Sequence, residues 1–405
     1  GTDLTGHPMV RDWVEWYLHS FMSPHEGQRR VPPEGAHASA FAVGKDYWND
    51  LFQIARRLKR TAPELSARMR WIETGGREGE RPDLRSRLVR DYGPVLRHDF
   101  GGPHEAYLHL MQIAGRYNYR WGPGNGILYY GAKNRNWSYN GPEANGDSFD
   151  IDRVTAFSVD GEGLGPHPSD QPLFDFGFAQ FYRAVAEPSR AKRTGYLSRG
   201  ILMAEDKFIL VHDDVEKQAE GRFVWVNAGS LPRFVQLKPG AKPTATSTKT
   251  IRRYQGRGDF LTLVAPNEVA ADSTSYGACI RETAHAFWSD RSFSHSEKGF
   301  DFEGRTGYAR LGKIALFEGN RLRFGEMIIA RKGGAFGCSA EIDGRSVKGR
   351  FAGSEGGRIF VTPPFAFDFK VVRVKVNDKH VRATCMNDTI SFPVSISLSE
   401  GVGKY

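Results

Sequence analysis

Residues 207–215, KFILVHDDV, form a short apolar run closed by charged residues, and RFVWVNAG at 222–229 follows after a polar break. Both runs are rich in β-branched and aromatic residues, and turn formers flank them, so both read as strands. The same texture extends in each direction. Upstream stand AYLHLMQIA (106–114), GILYYGA (126–132) and RVTAFSVDG (153–161). Downstream stand DFLTLVAP (259–266), KIALFEG (313–319), FGEMIIAR (324–331), GRIFVTPPF (357–365), FKVVRVKVNDKHVRATC (369–385) and ISFPVSISL (390–398). Gly, Asn-Gly and Asp-Gly turns separate them. Many short strands in this spacing predict antiparallel sheets in a large sandwich rather than βαβ units.

The chain before about Pro94 reads differently. Residues 8–22, PMVRDWVEWYLHSFM, place Trp13, Trp16, Tyr17 and Phe21 at helical spacing. Residues 46–60, DYWNDLFQIARRLKR, predict a second amphipathic helix with Asp46 as N-cap and basic residues at its C-terminal end. A third is expected from Pro63 to Trp71, and the charged, glycine-bearing residues 75–90 read as a linker. The expected fold class is therefore α+β. A helical region spans 1–90, a large antiparallel β super-sandwich 91–332, and a small β-module 333–405.

The chain has 405 residues, 56 Lys and Arg against 47 Asp and Glu, and a formal charge of +9. That balance favours acidic partners. The arginines are dispersed among glycines and aromatics, and neither a helix-turn-helix nor an RNP-type motif occurs, so nucleic acid is not the expected partner. No apolar run is long enough for a transmembrane helix, and no membrane insertion is expected. Cys279, Cys338 and Cys385 are too far apart for a zinc ribbon or a CxxC redox pair. Oligomeric state is not legible.

The richest functional signal is Arg116–Tyr130, RYNYRWGPGNGILYY, with four tyrosines, a tryptophan, two arginines and two asparagines around a Gly-Pro-Gly-Asn-Gly breaker. Aromatic faces stack on sugar rings, guanidinium forks grip carboxylates and sulfates, and glycines let backbone approach a ligand. Such a segment suits an anionic polysaccharide. The competing reading is an aromatic hairpin whose rings fill a core.

Taken in order, several segments resemble the heparinase II/III-like polysaccharide lyases. GILYY (126–130) is similar to the family's Gly-Ser-Phe-x-Leu-Tyr segment, and RVTAFSVDGEGLG (153–165) to the strand and turn that follow it. RTGYLSRGILMAEDKFILVHDDV (193–215) resembles the family's Arg–strand–Asp-x-Val hairpin, and FEGRTGYARLGKIALFEGNRLRF (302–324) its late sandwich strands. The resemblance covers about residues 90–330. It implies the end of an (α/α) toroid followed by the super-sandwich. It also implies β-elimination on a uronic-acid polymer, and a secreted or periplasmic location.

The departures are specific. Where many members carry a zinc-holding His-x-His-x-Asp cluster and a following His-Asn-Thr, this chain has YNYRWGPG and DIDRVT. No metal and no cofactor are therefore expected at that place. His104, Glu105 and His109 form HExxxH, one residue longer than the zincin helix spacing.

A uronate lyase neutralises the C5 carboxylate, removes the C5 proton and protonates the leaving O4 oxygen. Arg, Asn, Gln or His donors can do the first, and Tyr or His the others. By resemblance, Tyr117 or Tyr119 is the proton-transfer residue, and neighbouring Arg116 and Arg120 would favour its phenolate. His37 is the second choice, standing where members have the tyrosine of a Glu-Gly-x-x-Tyr stretch; its plain reading is a surface histidine. Asn118 and Asn125 are candidates for the carboxylate, Arg199 and Arg183 for further acidic groups, and Trp121 and Trp137 for sugar platforms. Solvated arginines and core rings are the alternatives.

Two other functions stand beside the lyase. One is a non-catalytic acidic-glycan-binding protein, favoured by the missing histidines and the short helical part. The other is a glycoside hydrolase, for which Asp213-Asp214 offers carboxylates.

Overall fold

The computed structural model describes residues 6–29, 45–89, 93–111, 126–138, 155–165, 171–227, 232–238, 244–247, 251–281, 283–333, 335–353, 357–367, 372–376, 379–394 and 402–404. It has the expected α+β order, a helical N-terminal part followed by antiparallel sheet. The chain divides into two compact units, Gly1–Pro172 with Tyr182–Asn267, and Leu173–Phe181 with Glu268–Tyr405.

In the N-terminal part of the first unit the described helices are Pro8–Ser20, Lys45–Arg57 and Pro63–Glu73. Two of them open on proline, whose missing N–H costs nothing in a first turn. Before the first helix, His7 Nδ1 accepts the Met9 N–H at 3.2 Å. The second helix begins at Lys45, so Asp46 lies inside its first turn and is not the N-cap. Its predicted last turn tightens into the 3₁₀ segment Leu58–Arg60 ahead of Pro63. Val14, Leu18, Leu51, Leu58, Leu65, Met69 and Ile72 make the helical core.

The linker expected at 75–90 ends early, because Arg87–Val89 already pairs with Gly93–His98. These strands open a five-stranded meander that continues with Ala106–Leu110, Ile127–Ala132 and Arg135–Ser138. A second sheet orders Thr244–Ser247, Ile251–Arg257, Glu220–Val226 and Ala156–Val159. A third orders Arg233–Lys238, Phe260–Ala265, Phe208–Val215 and Tyr196–Ala204, then Ala179–Val185. The second and third sheets meet face to face, with Phe157 packed 4.9 Å from both Tyr196 and Phe260, and Trp225 5.4 Å from Phe234. Phe208–Val215 is buried at every position, which is why 207–215 reads as an unbroken apolar run and not as an alternation.

The second unit is built on long antiparallel strands, Ala284–Glu297, Phe300–Arg310 and Lys313–Phe324. Lys313–Phe324 pairs with both Met327–Lys332 and Ala335–Asp343, so the sheet crosses residue 333 without a break. Hydrogen bonding explains that continuity, because Ile314↔Ala340 pairing commits 335–343 to the strands before it. All three cysteines are free thiols, and burial pushes the Cys338 thiol up to about 12 against the lowering effect of Arg331.

Candidate functional site

The segment that carries most of the expected chemistry departs from one end of the five-stranded sheet. Leu110 pairs with Ile127, and the Met111 N–H donates to Gly126 O at 2.8 Å. The Ile127 N–H donates to Thr155 O at 2.8 Å, and Thr155 Oγ1 accepts from Val226 N at 2.9 Å and from Ser138 Oγ at 3.0 Å. Ala106–Leu110 and Ile127–Ala132 are buried throughout. Ladder bonds, buried hydroxyls and core packing thus fix Met111 and Gly126, the described residues on either side of 112–125. Arg116, Tyr117, Asn118, Tyr119, Arg120, Trp121 and Asn125 lie outside the described residues, as does His37.

Within the described residues the aromatic stretch resolves as core. Tyr129 is 1% and Tyr130 0% exposed, so for these two rings the core reading holds. Burial drives the Tyr130 phenol well above its ordinary value, with the Asp206 charge adding to it. Neither is placed to move a proton.

Trp137 and Arg199, expected as substrate contacts, are both buried. Trp137 is 5% exposed, donates its indole N–H to Ala132 O at 2.9 Å, and accepts the Trp225 indole N–H on its carbonyl at 3.0 Å. That packing leaves no free face for a sugar. Arg199 is fully buried, with Nε 2.7 Å from Asp213 Oδ1 and Nη2 2.9 Å from Oδ2. Tyr196 donates its hydroxyl to the same carboxylate, and burial, ahead of the Asp213 charge, raises the Tyr196 phenol. Arg183 is buried as well, 3.3 Å from Ser198 Oγ, and Ser198 Oγ lies 3.4 Å from Asp214 Oδ2. The carboxylates considered for hydrolysis are therefore held inside the sheet.

The HExxxH residues diverge. His109 is buried on a strand between Val95 and Tyr129. Glu105 accepts the Arg29 fork, with Nη1–Oε1 at 2.6 Å, and the Gly101 N–H at 2.8 Å. The Arg29 guanidinium also lies 4.4 Å over Phe100 and 5.5 Å over Trp71. His104 Nδ1 is 3.2 Å from Asp206 Oδ2, which also accepts from Lys133. Burial opposes ionisation of Asp206, but the bonds from Lys133 and His104 outweigh it and hold the carboxyl below its usual range. Among the described residues no three His, Cys, Asp or Glu side chains gather as a metal-ligand set.

Two charge clusters built on a buried carboxylate escaped the sequence reading, Arg29–Glu105 and Lys133–Asp206–His104. Their partners are 76 and 73 or 102 positions apart, so no local spacing could reveal them. Arg199–Asp213 is different. The turn at Glu205-Asp206 sets Phe208 against Ala204, and that register carries Asp213 opposite Arg199. Placing the turn is enough to predict the pair.

No family model matches the sequence, and no curated protein matches it. The structure is similar to solved polysaccharide lyases. One is a heparan sulfate lyase from Pedobacter heparinus, with a TM-score of 0.45 and 13% identity over 62% of this chain and 46% of that one. A heparinase III gives 0.44 and 9% over 75% and 50%. A chondroitin AC lyase from Streptomyces coelicolor A3 gives 0.44 and 12% over 90% and 56%. The chain spans about half the length of these structures.

Proposed function

We propose that this chain is a polysaccharide lyase that cleaves a uronic-acid-containing polymer by β-elimination, and that Arg116–Asn125 carries its chemistry. The observation that supports this reading is positional. In sequence, a ten-residue stretch holding two arginines, two tyrosines, two asparagines and a tryptophan falls between two strands that pair with each other and are fully buried. The candidates inside regular structure, Trp137, Arg183 and Arg199, are occupied by core packing.

In the proposed reaction Asn118, Asn125 and the arginines neutralise the C5 carboxylate, which makes the carbanion-like state accessible. Tyr117 or Tyr119 takes the C5 proton as phenolate, and the C–H electron pair forms the C4–C5 double bond. The C4–O4 bond breaks, and O4 leaves with a proton from a tyrosine or from His37. Trp121 would stack on an adjacent ring. No metal enters the scheme. The chain would act outside the cytoplasm, where such polymers occur.

The hydrolase alternative loses its carboxylates, since Asp213 is forked to Arg199 at zero exposure. The test is ultraviolet absorbance of the unsaturated product with alginate, ulvan, heparan, chondroitin and polyglucuronate. A rise on one polymer supports the reading, whereas new reducing ends without unsaturation would replace it with hydrolysis.

A further inference from the structure

A second place in the molecule has the chemistry of an acidic-sugar site. In the second unit, a cavity of about 370 Å³ opens between the ribbon Val374–Val376/Lys379–Val381 and the strands Ser346–Lys348, Gly357–Thr362 and Thr389–Val394. Its volume falls at the lower end of roughly 300–1,000 Å³ for small-ligand clefts. Val361, Val374, Ile390 and Phe392 form the floor, and half-buried Phe365 and Phe367 stand at the wall two residues apart.

Among the described residues the charge around it has one sign: Arg345, Arg373 and Lys375 line the cavity and are exposed, and no described carboxylate lines it. Asp343, two positions from Arg345, is ion-paired with Lys348. None of the three cations is paired with another described residue. A bare apolar hollow would suit packing or an aliphatic ligand. Half-buried rings beside three cations that have no ion-pair partner among the described residues fit a ligand that offers an apolar C–H face together with several anions.

We propose that this cavity binds one or two residues of a carboxylated or sulfated sugar chain, as an ancillary glycan site. The proposal stands whether or not Arg116–Asn125 is catalytic, because it rests on residues of the second unit alone. Ring stacking supplies the contact area, and the rim supplies charge-assisted bonds whose strength falls with salt.

The experiment uses the full chain and a sulfated, uronate-containing hexasaccharide of the heparan type. Binding is read by calorimetry and localised by amide hydrogen exchange, with turnover followed separately by absorbance. Binding of the hexasaccharide should slow exchange over residues 357–376. An Arg345→Ala, Arg373→Ala and Lys375→Ala variant should bind roughly tenfold or more weakly. Phe365→Ala should weaken binding with little change in salt dependence. An equal loss of charge at exposed Arg291, Arg321 and Lys332 should leave affinity within about twofold. Thermal melts check that every variant is folded. Equal losses in both triple variants, or exchange protection elsewhere in the chain, would overturn the proposal. So would stronger binding of an acidic peptide than of the hexasaccharide. Loss of turnover with binding retained at 357–376 would strike the lyase reading alone.

Discussion

Arg199 and Asp213 show how a charge that suggests function can be structural. Both are fully buried, and the fork between them leaves no donor directed at solvent. Removing one partner strands the other in low dielectric, so Asp213→Asn should cost about 3–5 kcal/mol in urea unfolding. A folded variant of unchanged stability would contradict that role. His19 gives a pH-dependent counterpart. Burial first, then the charges of Arg87, Arg97 and Arg68, lower its pKa to about 3 from 6.5, and its buried Nδ1 has no hydrogen-bond partner. Glu15, at 4.0 Å, is the acid near it. Above pH 6.5 neither folded nor unfolded chain protonates this ring, and it contributes no pH dependence. As pH falls from 6.5 toward 3 the unfolded chain takes up the proton and the folded chain does not, so stability is lost across that window. His19→Gln should therefore lose less stability than the wild type between pH 7 and pH 5, measured as urea midpoints. Equal losses would show that His19 does not govern this range.

At the scale of elements, the seam between the first helix and the first sheet holds the N-terminal part in place. Tyr107 and Tyr129 donate hydroxyls to Ser20 O and Ser23 O at 3.2 and 3.3 Å. Arg97 Nη2 reaches His19 O and Phe21 O at 2.8 and 2.6 Å. Gly131 lies under this seam, and a Cβ there would stand 2.1 Å from Ser23 Oγ and 2.5 Å from Tyr129 Cε1. Gly131→Ala should destabilise by about 1–3 kcal/mol, the usual range for overpacking, and an unchanged melting temperature would contradict the packing described. The elements themselves were largely legible in sequence. The run at 207–215 became Phe208–Val215, and the helix expected at Pro63–Trp71 became Pro63–Glu73. Short-range signals carry such elements, namely periodicity, prolines and turn formers. The seam was not legible. Tyr107, Tyr129 and Arg97 meet the 19–23 segment only when strands far apart in sequence are laid beside it.

Across the whole molecule, chain order predicted helices before sheet. The turn near Gly333 looks like a boundary locally, yet long-range pairing carries the sheet through it. Two places remain for an acidic polymer, the Arg116–Asn125 segment and the cation-rimmed cavity of the second unit. They separate experimentally, because only the first predicts chemistry. The decisive measurement is absorbance of the unsaturated product with the five uronate polymers, using wild type, Tyr117→Phe, Tyr119→Phe and His37→Ala. The account predicts a rise on one polymer that is lost in at least one tyrosine variant while the far-ultraviolet circular dichroism stays unchanged. No rise on any polymer with folded wild type, or a rise that survives all three substitutions, would contradict it.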